Sequence, residues 1–230
     1  MSERRCVIFN ADDFGQTPGI TRGIVECHRN GVVTSTSLIV TGSAVNDAVE
    51  ASKANPHLAI GLHFDLCGED EREFDTTNIG AVRDEFNRQL DLFVKVVGRR
   101  PAHVDSHRHV HREEHLFPHV QEWVRPLEVP LRGDGRVRFM GGFYAQWEWK
   151  VVDLKYVSVP FLKKLLREEA PPGVSEFSCH PGYVTPDYVG IYREEREAEI
   201  RTLTDPAIRR FIDEEGIELM SFEEVRRSGM

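Results

Sequence analysis

The 230-residue chain has no hydrophobic run approaching the ~20 apolar residues that a membrane-spanning helix requires. The short apolar stretch from Cys6 to Phe9 is too brief for a secretory h-region, so a cytoplasmic protein with no membrane partner is expected. Its four cysteines, Cys6, Cys27, Cys67 and Cys179, show no C-x-x-C spacing, which leaves neither a zinc knuckle nor a thioredoxin-like motif and fits reduced thiols. Basic residues are in deficit: 29 Lys and Arg against 38 Asp and Glu give a net charge of −9, which excludes nucleic acid as a partner. Internal repeats, low-complexity tracts and Gly/Ser linkers are also missing. A single domain over residues 1–230 follows, long enough to bury a substantial core.

The residues present alternate between two periodicities. Residues 5–10 (R-C-V-I-F-N) read as a buried strand, and Thr17-Pro18 then supplies an N-cap and an N1 proline for a helix that Asn30-Gly31 stops. Strand-like segments follow at Ser35 to Thr41, Leu58 to His63, from Ala102, at Leu127 to Leu131, at Gly173 to Ser178 and at Gly216 to Met220. Helical patterns fall at about Ala44 to Ala54, Ile79 to Val97, Glu114 to Val124 and Val159 to Glu169, with two short helices before Gly216. This order predicts an α/β protein with a mainly parallel sheet, either closed as a barrel or open. Arg132 to Val157, with its glycines and the aromatics Phe143, Tyr144, Trp147 and Trp149, reads as an elaborated loop able to cover a site.

Polar clusters mark the C-terminal ends of the predicted strands: Asp12-Asp13, then His63 with Asp65, then H-V-D-S-H-R-H-V-H at 103–111, then His180. In a parallel α/β fold those ends share one side of the sheet. Adjacent carboxylates on an extended backbone point apart, so one of Asp12 and Asp13 suits a cation and the other a water, against the plainer reading of an Asx-turn or helix cap. Alternation sends His63 and Asp65 to one side. The 103–111 run holds four of the ten histidines. If extended, His103, Asp105, His107, His109 and His111 share a face; if helical beyond Ser106, His107 and His111 stack at i and i+4. A His/His/Asp set with open positions suits zinc or another divalent transition ion. His180, fixed before Pro181, suits proton transfer.

The ordered segments V-I-F-N-A-D-D-F-G, N-G-V-V-T-S-T-S-L, A-I-G-L-H-F-D-L, H-V-D-S-H-R-H-V-H and F-S-C-H-P-G-Y resemble the YdjC-like carbohydrate deacetylases, the family that includes chitooligosaccharide deacetylase. The resemblance implies a distorted (β/α) barrel related to the polysaccharide deacetylases. It also implies a metal-dependent hydrolase that removes an acetyl group from an N-acetylated amino sugar or small oligosaccharide. Carried onto this sequence, it makes Asp13, His63 and His107 the ligands of one divalent ion, Mg or Zn. Asp12 becomes the base that takes a proton from water, and His180 the acid that protonates the leaving amine. His109 and His111 are then expected to support the ligands or touch substrate, with Asp105 orienting His107. Arg132 either holds a substrate or carboxylate group or lies at the surface. The loop C-G-E-D-E-R-E-F-D after G-L-H-F-D-L is shorter than the family's. A homodimer is compatible with this reading. Two rivals remain: a metallohydrolase acting on another amide or a phosphoester, and a non-catalytic sugar- or metal-binding protein.

Overall fold

The computed structural model describes residues 4–68, 73–148 and 150–229. The middle of the C-G-E-D-E-R-E-F-D loop and Trp149 lie outside the described residues.

β1 (Arg5–Phe14) is buried along nearly its whole length, as the V-I-F run requires of a strand covered on both faces. After it, α1 (Pro18–Asn30) starts where the Thr17 side chain accepts the Ile20 N–H, and it buries Ile20, Ile24 and Cys27. β2 (Ser35–Leu38), α2 (Val45–Lys53) and β3 (Ala59–Phe64) follow. α3 (Ile79–Val97) is capped by Asn78 and ends at Gly98, whose φ of 79° is the left-handed conformation that glycine adopts freely. β4 (Val104–Ser106) leads into a 3-10 segment, His107–Arg112, and α4 (Phe117–Val124).

The strand expected at Leu127 to Leu131 does not form. Pro126 and Pro130 remove ladder donors, Arg125–Leu127 is a 3-10 turn, and only Leu131 makes a single bridge, to Val104. The fifth strand is instead β5 (Arg138–Met140), inside the segment read as loop. Then come α5 (Val159–Glu168), β6 (Gly173–Cys179), α6 (Glu194–Leu203), α7 (Pro206–Glu214) and β7 (Ile217–Leu219). A last helix, α8 (Phe222–Ser228), is set by a capping box of Ser221 and Glu224.

The strands pair in the order β4-β3-β2-β1-β6-β5, and every pairing is parallel. β7 pairs with Arg5 to Val7 of β1, below the point where β2 begins to pair at Asn10. The curled sheet is an incompletely closed barrel, with Leu131 against the outer edge of β4. Its main core lies between sheet and helices and includes Phe9, Phe14, Phe64, Phe86 and Phe177. Inside the barrel a smaller apolar plug of Ile8, Ala59, Ala102, Val137, Phe222 and Val225 closes the N-terminal end. Further along the strands the inward side chains turn polar, at Asn10, Ser37, Asp105 and Glu176, all buried. That polar layer carries the site.

Candidate metal centre and active site

The β1 register breaks between Ala11 and Phe14, and Asp13 adopts φ 71°. A left-handed residue in a bulge turns the chain, so the extended-backbone argument against both carboxylates facing one way does not apply: Asp12 and Asp13 line the same cavity. This cavity, about 730 Å³, is also lined by His63, His107, Arg108, His109, Tyr144, Trp147, His180 and Arg196. It falls within the range of small-molecule sites.

Asp12 is held from below. Arg132, fully buried, donates Nη1 to Oδ2 and Nη2 to Oδ1, each at 2.7 Å, and Asn10 Nδ2 donates to Oδ1 at 2.8 Å. Burial pushes the Asp12 carboxyl up, but the Arg132 charge and hydrogen bonds bring it below the usual carboxylate range. The same guanidinium reaches Asp105 Oδ2 at 2.8 Å and Glu176 Oε1 at 2.6 Å. The sequence left Arg132 between a carboxylate partner and the surface; it binds three carboxylates in the interior.

Asp105 orients His63, not His107 as expected: His63 Nδ1 lies 2.7 Å from Asp105 Oδ1. The parallel register puts His63 opposite Asp105, which is the reason. His107 uses Asp65 instead, with Nδ1 3.2 Å from Oδ1. Each imidazole thus turns Nδ1 onto a carboxylate and presents Nε2 elsewhere, the arrangement common among metal-binding histidines.

On that side His63 Nε2 meets Asp13 Oδ1 at 3.3 Å. Asp13 Oδ1 is buried without a hydrogen-bond partner among the described residues, while Arg196 Nη2 donates to Oδ2 at 2.7 Å. Two ligand atoms at such a separation, each with a free lone pair, suit a shared cation bound at about 2.0–2.2 Å from each. The surroundings call for positive charge at this spot, whether a proton on His63 or a metal ion. The His107 ring centroid is 5.9 Å from that of His63. A second grouping exists on the other side of the same imidazole, where Asp12, His63 and Asp105 each bring a ligand-type atom within 4.8 Å of the others. Arg132 already occupies both carboxylates of that group, and a guanidinium repels a further cation.

His180 follows β6 and sets Nε2 3.8 Å from Asp12 Oδ2. Burial, its largest influence, pushes its pKa below the ordinary histidine value. Tyr144 and Tyr192 stack at 4.9 Å and present themselves edge-on to its ring, each at 5.7 Å.

The 103–111 run takes neither geometry offered by its spacing. Arg108 and His109 both have positive φ, 54° and 55°, which kinks the 3-10 segment and divides its histidines. His103 lies low in the barrel, stacked on Phe222 at 3.8 Å. His109 lines the cavity, and His111 turns away to Ser106 Oγ and the Arg132 carbonyl. Of the aromatic segment, Phe143 is buried and Trp147, 60% exposed, stands at the mouth.

Sequence reading placed two short helices before Gly216, of which α6 is the first, but missed the buried polar residues that α6 carries. Glu195, Arg196 and Glu199 are buried on a helix with no clear apolar stripe, a pattern that reads as solvated because their partners are distant in sequence.

A parallel, incompletely closed barrel of this kind is the fold of the polysaccharide-deacetylase barrels. The peptidoglycan N-acetylglucosamine deacetylase Bc1960 has this fold, with a TM-score of 0.61 at 12% identity, over 96% of this chain and 88% of that one. Within that class the chain belongs to the YdjC-like protein family, whose model matches residues 6–214. It is 31% identical to a chitooligosaccharide deacetylase of Proteus mirabilis (strain HI4320), over 95% of this chain and 98% of that protein. It is 33% identical to a carbohydrate deacetylase of Vibrio cholerae, over 94% of each. A crystal structure from Enterococcus faecalis V583, of a protein named for cellobiose-phosphate cleavage, gives a TM-score of 0.79 at 28% identity, covering 96% of this chain and 99% of that one. Among the described residues no helix is long and apolar enough to cross a membrane.

Proposed function

We propose that this protein is a metal-dependent carbohydrate N-deacetylase that hydrolyses the acetamido group of an N-acetylated amino sugar or short oligosaccharide. The observation that carries the reading is the unpartnered Asp13 Oδ1 facing His63 Nε2 at 3.3 Å, with Asp12 and His180 beside it on the same cavity. Asp13, His63 and His107 would hold one divalent ion, Mg or Zn. When bound, such an ion polarises an amide carbonyl and makes water nucleophilic near neutral pH. Asp12 Oδ2 takes the proton of the attacking water. Its carboxylate cannot rotate, because Arg132 grips both oxygens. His180 Nε2, 3.8 Å away, delivers a proton to the leaving nitrogen, so acetate and a free amine are the products. Tyr144 and Trp147 line the cavity where a sugar would sit. The cytoplasm is the location proposed, in keeping with four free cysteines.

A phosphorylated sugar is a second reading of the substrate, favoured by Arg108 and Arg112 on the cavity wall and by the naming of the Enterococcus relative. The test supplies purified protein with Mg or Zn and measures acetate released from N-acetylglucosamine oligosaccharides with and without a phosphate. Asp12→Asn is expected to abolish release while metal content stays unchanged. Metal uptake with no acetate from any such sugar would replace this reading with a binding protein.

A further inference from the structure

The polar residues of α6 touch two reactive centres at once. Arg196 Nη2 donates to Asp13 Oδ2 at 2.7 Å, and its Nη1 donates to the His180 carbonyl at 3.2 Å. One turn on, Glu199 Oε2 accepts the His180 backbone N–H at 2.5 Å. Both polar groups of the His180 main chain are therefore held by one helix, which also holds the carboxylate on β1. The Arg196 carbonyl accepts a further N–H from Gly182 at 3.3 Å, which ties the same loop down once more. Glu199 Oε1 accepts the Tyr192 hydroxyl at 2.6 Å, and that hydroxyl accepts the Ala145 N–H at 3.2 Å. Tyr192 is one of the two rings that wall His180. Arg196 and Glu199 are both buried, so these contacts exchange with no solvent.

Charged side chains on a solvated helix face would make none of these contacts. Buried at i and i+3, they point the same way and leave the helix backbone as a rigid strut. Asp13 lies at the end of the first strand and His180 just past the sixth, and the ladder that pairs these strands stops at Ala11 and Cys179, so it does not tie the Asp13 side chain to the His180 main chain. α6 does.

We propose that Arg196 and Glu199 are positioning residues with separate targets: Arg196 orients Asp13 toward the cation, and Glu199 fixes His180 and its tyrosine wall. This rests on the reading of Asp13 as a metal ligand and His180 as a proton donor.

The two targets give different readouts. Arg196→Met is expected to weaken Zn binding about 10- to 100-fold, measured by calorimetry without any sugar, as loss of a partner behind a ligand does elsewhere. Glu199→Leu is expected to leave Zn affinity within about three-fold of wild type. It should lower kcat about ten-fold or more and displace the limb of the pH–rate profile that reports the proton donor, with KM little changed. Glu199→Gln keeps an oxygen for the His180 N–H and an amide for Tyr192, and should restore most of kcat. Arg196→Lys, which keeps a cation on Asp13, should bind Zn between the wild type and the Met variant. An Arg196→Met protein that binds Zn like the wild type overturns the proposal. So does a Glu199→Leu protein whose activity falls only in step with its folded fraction, with an unmoved pH profile. A wild type that binds Zn but deacetylates no sugar counts against the function proposed above and leaves the Arg196 arm standing.

Discussion

His111 uses both ring nitrogens without touching the cavity. Nδ1 lies 2.5 Å from Ser106 Oγ, and Nε2 lies 3.0 Å from the Arg132 carbonyl, so a neutral ring accepting at one end and donating at the other satisfies both. It pins the backbone of the residue that in turn pins Asp12. A charged ring would lose the Ser106 proton and add a positive charge beside the Arg132 guanidinium. Burial first, with the Arg132 charge assisting, pushes its pKa down to about 4, against an ordinary value of 6.5. Because the folded value lies below the unfolded one, the stability contributed by the neutral ring is complete above about pH 6.5 and drains away as the pH falls toward 4. Each unit in that window costs up to about 1.4 kcal/mol. His111→Gln keeps a donor and an acceptor but cannot titrate. Urea unfolding of both proteins at pH 7, 6, 5 and 4.5 is expected to show the wild type losing stability faster than the variant. Parallel curves would mean that the ring titrates in the fold as it does in the unfolded chain.

At the scale of elements, β3 passes very close to the His103 ring. A Cβ built on Gly61 would fall 2.3 Å from His103 Cε1 and 2.4 Å from Nδ1, and the ring cannot retreat because Phe222 stacks on it at 3.8 Å. Gly61→Ala is expected to destabilise the protein by about 1–3 kcal/mol. Combined with His103→Ala the two losses should sum to less than their separate values, since the second change removes the obstacle met by the first. Strict additivity in a denaturation cycle would contradict the packing described. Elements of this kind were readable when their information was local. Ile79–Val97 carries its own cap, its Val82, Phe86 and Phe93 stripe and its Gly98 stop, and its limits were legible to the residue. β5 was not legible, because a three-residue R-F-M strand beside glycines is too short for a period of two to register. The Leu127 to Leu131 run was misread because its apolar residues pack without a ladder. At the site, the clusters that hold Asp12, Asp13, His63, His107 and His180 were legible from their places at strand ends, the choice of His107 within 103–111 came from the family resemblance, and all five residues line one cavity. The partner of each imidazole was not, since it depends on a register that joins β3 to β4 across some forty residues of sequence.

The whole molecule has a charge problem that its fold alone leaves unsolved. Asp12 and Asp13 on the cavity, with Asp65, Asp105 and Glu176 behind it, are all buried, and the buried guanidiniums that answer them are Arg132 and Arg196. Buried carboxylates without compensating charge are costly, and a bound cation would offset part of the shortfall here. An ion held by Asp13, His63 and His107 would add a direct tie between β1, β3 and the segment after β4 to the contacts already there. Metal binding should therefore act on global stability as well as on chemistry. At a free concentration of about 100 Kd the ion would add roughly 2.7 kcal/mol, which for a chain of this size raises Tm by about 5–10 °C. Thermal scans with Zn or Mg, and after chelation, measure this directly. The variants then locate the ion. Asp12→Asn is expected to keep the metal-dependent rise in Tm, because Asp12 serves Arg132, whereas Asp13→Asn and His63→Ala should lose it. If Asp12→Asn lost the rise and Asp13→Asn kept it, the cation would belong with Asp12 and Asp105 on the opposite side of His63. Arg132 would then have to move away to admit it.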